Sequence, residues 1–221
     1  MSPPGYDARM TRIEKEQVAA LEIGRYAGPI RLVTGAVELE RALTELRRER
    51  VLGFDTETRP AFRPGESYPP ALVQLAGEHA VYVLQLRRHD FSAAIAELLG
   101  AAAIVKAGVS VADDLKSLKK VMPFEERSVV DLGTLAKRAG VKQSGVRNLA
   151  AMFLGFRIPK GKKTSNWAAA HLSPAQLGYA ATDAWACREL YLDFEKKGWL
   201  EKANPPLASS LPPLSGGRQS G

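Results

Sequence analysis

Three short acidic segments lie where the flanking sequence is apolar, and their side chains are the ones suited to chemistry. In chain order they contain Asp55 and Glu57, Asp113 and Asp114, and Tyr179 with Asp183. A buried carboxylate is costly unless positive charge meets it, and no matching run of Lys or Arg accompanies these acids. Divalent cations would supply that charge, and metal ions held by carboxylates carry out phosphoryl transfer in many hydrolases. The pattern therefore indicates a metal-dependent phosphoryl-transfer site.

The first pair lies at the end of a predicted strand. Residues 51–54 lead directly into Asp55, and strand alternation directs Asp55 and Glu57 to the same face. Two neighbouring carboxylates repel each other, and in a dry site one of them takes up a proton. A divalent cation keeps both ionised, although a paired Asp-x-Glu also occurs in solvated loops.

The second segment requires a choice between two neighbouring aspartates. Val111, Leu115 and Leu118 define the apolar face of a predicted helix, and Asp114 lies at the edge of that face. Asp113 points away from it, and we assign Asp113 to the surface. The helix dipole also favours an acid near a helix start, so Asp114 by itself does not define a site.

Tyr179 and Asp183 are four residues apart on the last predicted helix and therefore lie on one side of it. Ser173, Pro174 and Gln176 provide the capped start of this helix, with proline at its first position. A phenol beside an attacking water can orient that water. Taken by itself, Tyr179 fits core packing with a hydrogen-bonded hydroxyl better than it fits catalysis.

Hydrophobic periodicity predicts the elements that carry these residues. Strands are predicted at 30–33, 51–56, 71–76, 80–84, 103–107 and 129–131, and helices around 12–21, 39–46, 91–98, 111–122, 132–139, 147–154 and 174–198. An early hairpin followed by alternating strands and helices predicts an α/β fold, with a mixed sheet of five to six strands flanked by helices. We assign residues 1–28 to an N-terminal extension, 29–201 to the folded domain and 202–221 to a disordered tail rich in Pro, Ser and Gly.

Composition limits the class of protein. The 221 residues include 31 Lys and Arg against 24 Asp and Glu, a formal charge of +7, and a basic surface favours polyanions such as nucleic acid. The single cysteine, Cys187, cannot form an internal disulfide, and its helical surroundings predict a small core residue. The first residues contain no apolar run, and no apolar stretch is long enough to span a membrane, so we expect a cytoplasmic protein.

The three segments together resemble the DEDD superfamily of 3′–5′ exonucleases, in its tyrosine subgroup of ribonuclease D and Werner exonuclease type. The stretches similar to the family motifs are Phe54-Asp55-Thr56-Glu57, residues 108–110 leading to Asp114, and Tyr179 to Asp183. Residues 71–75 resemble the strand that follows the first motif, and residues 165–167 resemble the stretch before the third. The resemblance extends over residues 29–195, which is most of the chain.

This resemblance implies a ribonuclease-H-like fold and a 3′–5′ exonuclease that acts on single-stranded 3′ ends of RNA or DNA. It implies that Asp55, Glu57 and Asp183 hold one Mg²⁺ or Mn²⁺ ion, and that Asp55 and Asp114 place a second. Tyr179 would orient the attacking water, and hydrolysis would release nucleoside 5′-monophosphates. Ligand sets made only of oxygen suit these hard cations and not zinc.

A basic loop precedes the last predicted helix. The candidate nucleic-acid contacts are Lys160, Lys162, Lys163, Asn166 and Trp167, with Arg147 upstream. Such a loop can follow the phosphates of an entering strand while its aromatic ring stacks on a base. A solvated loop with Trp167 turned into the core explains the same residues equally well.

Three other functions fit parts of the pattern. A catalytically weak nucleic-acid-binding module of the same fold would lack one of the carboxylates, and here each motif has its acid. An endonuclease of this fold does not account for Tyr179 four residues before Asp183. A metal-dependent phosphatase acting on small phosphate esters is disfavoured by the basic loop and the net charge.

Overall fold

A mixed six-stranded sheet forms the centre of the protein. The structure is a computed structural model that describes residues 11–160 and 165–200. The strands are β1 (Ile30–Val33), β2 (Val51–Thr58), β3 (Pro70–Ala76), β4 (Val81–Gln85), β5 (Val105–Gly108) and β6 (Val129–Asp131). The helices are α1 (Lys15–Ala20), α2 (Ala36–Leu46), α3 (Ser92–Gly100), α4 (Val111–Lys119), α5 (Leu132–Arg138), α6 (Val146–Leu149) and α7 (Pro174–Lys196), and a π-helical turn at Ala150–Leu154 continues α6. The predicted α/β class and strand number are confirmed.

Strand β2 lies in the interior of the sheet, whose order is β1-β4-β3-β2-β5-β6. It pairs antiparallel with β3 and parallel with β5, and β6 and β1 complete the two edges through parallel pairs. The strand extends to Thr58, two residues past the predicted end, because its pairing with β3 continues to Pro70. Asp55 and Glu57 are therefore held inside a paired strand and not on a loop.

The alternation of β2 assigns its side chains to two different cores. Leu52 and Phe54 pack with residues of α2, α3 and α4 on one face of the sheet. Val51 packs on the other face, in the core that contains residues of α5 and α7. Asp55 continues the α7 face, whereas Thr56 continues the α4 face. This alternation decides which helix each residue at the end of β2 can contact.

Helix α7 lies unusually close to β2 at Gly53. A Cβ atom on Gly53 would lie 1.9 Å from the carbonyl oxygen of Ala184. The residues of α7 that pack on this part of the sheet include the small Ala180 and Ala184, both fully buried. Because no bulky side chain separates the two elements, Asp183 on α7 lies near the end of β2.

Residues 11–28, which the sequence assigns to an N-terminal extension, lie against the domain. Ile13 is buried in the core that contains α5 and α7. The N–H of Gly24 donates to the carbonyl of Arg157 at 3.0 Å, so the segment pairs with the chain after the π-helical turn. The N–H of Tyr26 donates to the Thr182 hydroxyl at 3.0 Å, and this bond ties the segment to α7 beside Asp183.

Two further expectations concern burial and membrane association. Cys187 is buried on α7, as its helical surroundings predict. Within the described part of the chain, no helix combines the length and apolar character that crossing a bilayer requires. Residues 202–221, assigned to a disordered tail, lie outside the described residues.

The close approach at Gly53 leads to a stability prediction. Gly53→Ala should lower the free energy of unfolding by about 1–3 kcal/mol, because the methyl group forces α7 away from β2. The matched control is Gly178→Ala on the same helix, where an added Cβ meets no described atom beyond its own helix within 4 Å. That change should raise stability by about 0.5–1 kcal/mol through helix propensity. Urea unfolding followed by circular dichroism measures both, and a Gly53→Ala protein as stable as wild type would contradict the packing argument.

Candidate metal centre

Three carboxylates from β2 and α7 converge at the end of the sheet. Asp55, Glu57 and Asp183 each offer one oxygen atom, and these oxygens lie within 4.8 Å of one another. Asp183 is buried, and the two acids of β2 are half-buried. The cluster joins residues that are more than a hundred positions apart in sequence, and the arrangement of oxygen ligands suits a hard divalent cation.

Burial and mutual repulsion raise the pKa values of the two β2 acids. For Asp55, burial is the largest cause, followed by the charges of Asp183, Glu57 and Asp114, and together they place its pKa well above the usual value. Burial, with the charges of Asp183 and Asp114, raises the pKa of Glu57 to about 8. Unless positive charge is added, the cluster therefore holds protons near neutral pH.

The hydroxyl of Tyr179 faces the carboxylate of Asp183, one helical turn away. Burial raises the pKa of Tyr179, and the charge of Asp183 and a hydrogen bond to it act in the same direction. Burial also raises the pKa of Asp183 to about 6, although the hydrogen bond from Tyr179 and the charge of Arg147 oppose this rise. Arg147 is exposed at the start of α6, so a cation and a protonated phenol both border the carboxylates.

Asp114 approaches from the opposite face of β2. It is half-buried in the first turn of α4, and the hydroxyl of Thr56 donates a hydrogen bond to its carboxylate. Burial raises the pKa of Asp114, and the bond from Thr56 opposes the rise. Since Thr56 lies between Asp55 and Glu57, this bond holds Asp114 beside the three-carboxylate cluster but outside it. Asp113 is exposed on the other side of the helix.

An unsatisfied oxygen atom tests whether the cluster fits a metal ion. The Oδ1 atom of Asp183 is buried, and no hydrogen-bond donor within residues 11–160 or 165–200 contacts it. Buried polar atoms without a partner are rare in native proteins. A divalent cation would satisfy this oxygen and balance the charge of Asp55 and Glu57 together, so the residues present fit such an ion.

The stretch before α7 packs against the site from the core. Trp167 is buried, and its ring centroid lies 6.1 Å from that of Tyr179. Of the two alternatives for Trp167, the structure therefore has the packed one, which supports Tyr179, and not a ring exposed for stacking on a base. Gln85 on β4 donates to the carbonyls of Ala169 at 2.7 Å and Ala170 at 3.3 Å, and these bonds hold the stretch in place.

Two supporting residues were not singled out from the sequence, namely Thr56, which contacts a carboxylate, and Gln85, which bonds to the backbone before α7. The hydroxyl of Thr56 on β2 donates to Asp114 on α4, which is distant in sequence, and no local pattern predicts that pairing. Gln85 carried a weak signal, because it is a polar residue directly after the apolar run of β4. A buried amide beside an apolar run indicates that the amide makes a hydrogen bond to a residue elsewhere in the fold.

The predicted nucleic-acid contacts differ in how they are placed. Arg147 and Lys160 are exposed, and Arg147 is near enough to Asp183 for its charge to lower that pKa. Asn166 is exposed, and its side-chain oxygen accepts the backbone N–H two residues on at 3.2 Å. Lys162 and Lys163 lie outside the described residues.

A cavity of about 610 Å³ opens beside Tyr179. Its walls include the aromatic rings of Tyr26 and Trp167, and its rim includes the basic residues Arg25 and Lys160. Both basic residues are exposed, so the cavity opens to solvent. Tyr179, whose hydroxyl faces Asp183, lines the same cavity. Exposed basic residues beside a cavity suit a ligand that carries a phosphate.

A family model described as 3′–5′ exonuclease matches residues 30–199. The chain belongs to the 3′–5′ exonuclease family. Ribonuclease D of Gluconacetobacter diazotrophicus is 32% identical over 164 residues, which cover 72% of this chain and 41% of that protein. The chain spans less than half of the length of the curated relatives it matches.

Solved structures of related domains share the fold. The EXO domain of Aedes aegypti Nibbler has a TM-score of 0.71 and 23% identity, covering 82% of this chain and 94% of that chain. Trypanosoma brucei RNase D in complex with RNA U12 has a TM-score of 0.67 and 19% identity, covering 75% of this chain and 62% of that chain. These likenesses confirm the predicted ribonuclease-H-like sheet flanked by helices.

The raised pKa values predict how the metal-free protein responds to pH. The pKa of Glu57 rises from its ordinary 4.5 to about 8 on folding, so the folded state holds a proton that the unfolded chain releases. This stabilisation is fully present below pH 4.5 and is lost as the pH rises towards 8. The melting temperature of EDTA-treated protein should therefore fall between pH 5 and pH 8, and added Mn²⁺ should reverse the loss at pH 8.

Thermal unfolding by circular dichroism at a series of pH values, with EDTA or Mn²⁺, measures this effect. Glu57→Gln is the control, since it removes one of the titrating groups and should make the pH dependence weaker, while Asp55 and Asp183, whose pKa values are also raised, keep the rest of it. A wild-type melting temperature that does not change over this range, or a Glu57→Gln slope equal to that of wild type, would contradict the assignment.

Proposed function

We propose that this chain is a metal-dependent 3′–5′ exonuclease that hydrolyses the terminal phosphodiester of a nucleic-acid strand and releases nucleoside 5′-monophosphates. The observation that carries the proposal is the convergence of Asp55, Glu57 and Asp183, with the Tyr179 hydroxyl beside them. Membership of the 3′–5′ exonuclease family supports the reaction and its direction along the strand.

The carboxylates would hold two divalent cations, Mg²⁺ or Mn²⁺. When bound, such ions supply the positive charge that activates a water and stabilises the leaving 3′ oxygen. Asp55, Glu57 and Asp183 would hold the first ion, and the unsatisfied Oδ1 of Asp183 supports this assignment. Asp55 and Asp114 would hold the second, with Thr56 fixing the orientation of the Asp114 carboxylate.

Tyr179 acts in this proposal by orientation and not as a base. Burial and the neighbouring carboxylate raise its pKa, so the phenol keeps its proton at neutral pH. Its ring is held by Trp167, and its hydroxyl by Asp183, which restricts where a hydrogen-bonded water can lie. Attack by a water that is already held in line is faster, because less orientational freedom is lost in the transition state.

The path of the strand follows the basic side chains around the centre. Arg147 is near enough to Asp183 and Tyr179 for its charge to lower their pKa values, and its guanidinium would contact a phosphate of the strand. The cavity beside Tyr179, with Arg25 and Lys160 on its rim, would receive a nucleotide. A single-stranded 3′ end of RNA or DNA fits such a path, and the RNase D of Trypanosoma brucei bound to RNA U12 supports RNA.

A gel assay with 5′-labelled single strands of RNA and DNA tests the direction and the metal requirement. We expect a ladder that shortens from the 3′ end with Mg²⁺ or Mn²⁺ and no cleavage with EDTA. Asp55→Asn and Asp114→Asn should each lower the rate by about 100-fold or more, because each removes a metal ligand.

Asp113→Asn is the matched control, because it changes the exposed neighbour of Asp114 and should cleave at nearly the wild-type rate. On the same strands labelled at the 3′ end, an exonuclease releases the label as a mononucleotide, and longer labelled fragments would indicate an endonuclease. Cleavage of small phosphate esters without cleavage of strands would indicate a phosphatase, and either result overturns the proposal.

Removing the phenol hydroxyl tests the role of Tyr179. Tyr179→Phe should lower kcat by about 10- to 100-fold and change KM little, because the water loses its orientation while the strand keeps its contacts. Tyr191→Phe, on the same helix and away from the carboxylates, is the control and should have wild-type kinetics. Steady-state rates on a 5′-labelled oligonucleotide measure both variants, and an unchanged kcat for Tyr179→Phe would make the tyrosine a packing residue only.

A further inference from the structure

Two glutamines are buried on the face of the sheet that α7 covers, and only one of them is satisfied. Gln85 on β4 donates to two backbone carbonyls, at 2.7 and 3.3 Å. Gln74 on β3 is completely buried, yet neither its amide nitrogen nor its amide oxygen has a hydrogen-bond partner among the described residues. A buried amide without a partner is costly, and such groups in native proteins occur where a ligand or a functional contact is missing.

Gln74 is the cross-strand partner of Asp55. The antiparallel register of β2 and β3 places the two residues directly opposite each other. Side chains in such a pair point to the same face of the sheet, with Cβ atoms about 4.5–5.5 Å apart. The amide of Gln74 therefore shares the face and the neighbourhood of the carboxylate cluster.

The rest of the environment of Gln74 is apolar. Leu72 and Ala76 flank it on the same face of β3, and Val83 is its partner on β4. Small side chains of α7, including Ala184, cover this part of the sheet. Nothing in these contacts favours an amide over a Met or Leu of similar size, so the reason for a polar residue lies with the carboxylates next to it.

We infer that Gln74 is a positioning residue of the metal centre, whose amide N–H donates to the Asp55 carboxylate when a divalent cation is bound. The inference rests on the proposed function, because it needs the cation to bind at Asp55. Gln74 lies directly opposite Asp55 and its buried amide lacks a partner among the described residues, so the Asp55 carboxylate is the acceptor that the sheet register offers it. Hydrogen bonds to the side chains that ligate a metal orient those ligands and raise affinity.

The test uses Gln74→Met, which keeps the length of the side chain and removes the amide. The melting temperature of the EDTA-treated full chain should rise by about 2–8 °C, because an unsatisfied buried amide is lost. At the same time, the dissociation constant for Mn²⁺ should rise by about 10- to 100-fold, because Asp55 loses its orienting donor. Circular dichroism measures the first quantity, and isothermal titration with Mn²⁺ measures the second.

Gln85→Met is the matched control on the adjacent strand. It breaks two observed hydrogen bonds, so its melting temperature should fall, while its affinity for Mn²⁺ should stay within about twofold of wild type. Gln74→Met should thus raise the melting temperature, whereas Gln85→Met should lower it. Of the two variants, Gln74→Met is the one that should weaken Mn²⁺ binding. Gln74→Leu provides a second variant if the methionine protein does not fold.

A Gln74→Met protein that is more stable but binds Mn²⁺ as tightly as wild type would overturn the inference and leave Gln74 as a packing residue. Wild-type protein that binds no Mn²⁺ would overturn the inference and the proposed metal centre together. Wild-type protein that binds Mn²⁺ but digests no strand would overturn the proposed function alone, and the comparison of dissociation constants would still decide the role of Gln74.

Discussion

Mutual repulsion among buried carboxylates is the constraint around which the end of β2 is built. Asp183 is buried, Asp55 and Glu57 are half-buried and close to it, and burial together with neighbouring charge raises the pKa of Glu57 to about 8. Such a cluster opposes folding until protons or a cation arrive. Protein stability and ion affinity are therefore two measures of the same electrostatic free energy.

Holding the acids together against this repulsion requires rigid support from both faces of the sheet. On one face, Gly53 allows α7 to lie against β2, and the Tyr26 N–H bonded to Thr182 ties the N-terminal segment to the same helix. On the other face, Thr56 fixes Asp114 on α4. Consecutive residues of β2 thus contact helices on opposite faces of the sheet, so this one strand positions both α4 and α7.

The groups around the carboxylates differ in what they do. Trp167 packs against Tyr179, and Gln85 donates to the backbone of the stretch that leads into α7; both side chains are buried. Arg147 is exposed, and its positive charge acts to lower the pKa values of Asp183 and Tyr179. Support therefore comes from the core, and the proposed contact with a polyanion would fall to basic residues at the rim.

Local periodicity was enough to predict which side chains share a face. The two-residue repeat of a strand pairs Asp55 with Glu57, and the helical repeat separates the exposed Asp113 from the half-buried Asp114, because both depend only on backbone geometry. The packed position of Trp167, the bond from Thr56 to Asp114 and the unsatisfied amide of Gln74 could not be predicted in this way. Each of these depends on which distant element lies against the residue, and only the tertiary structure decides that.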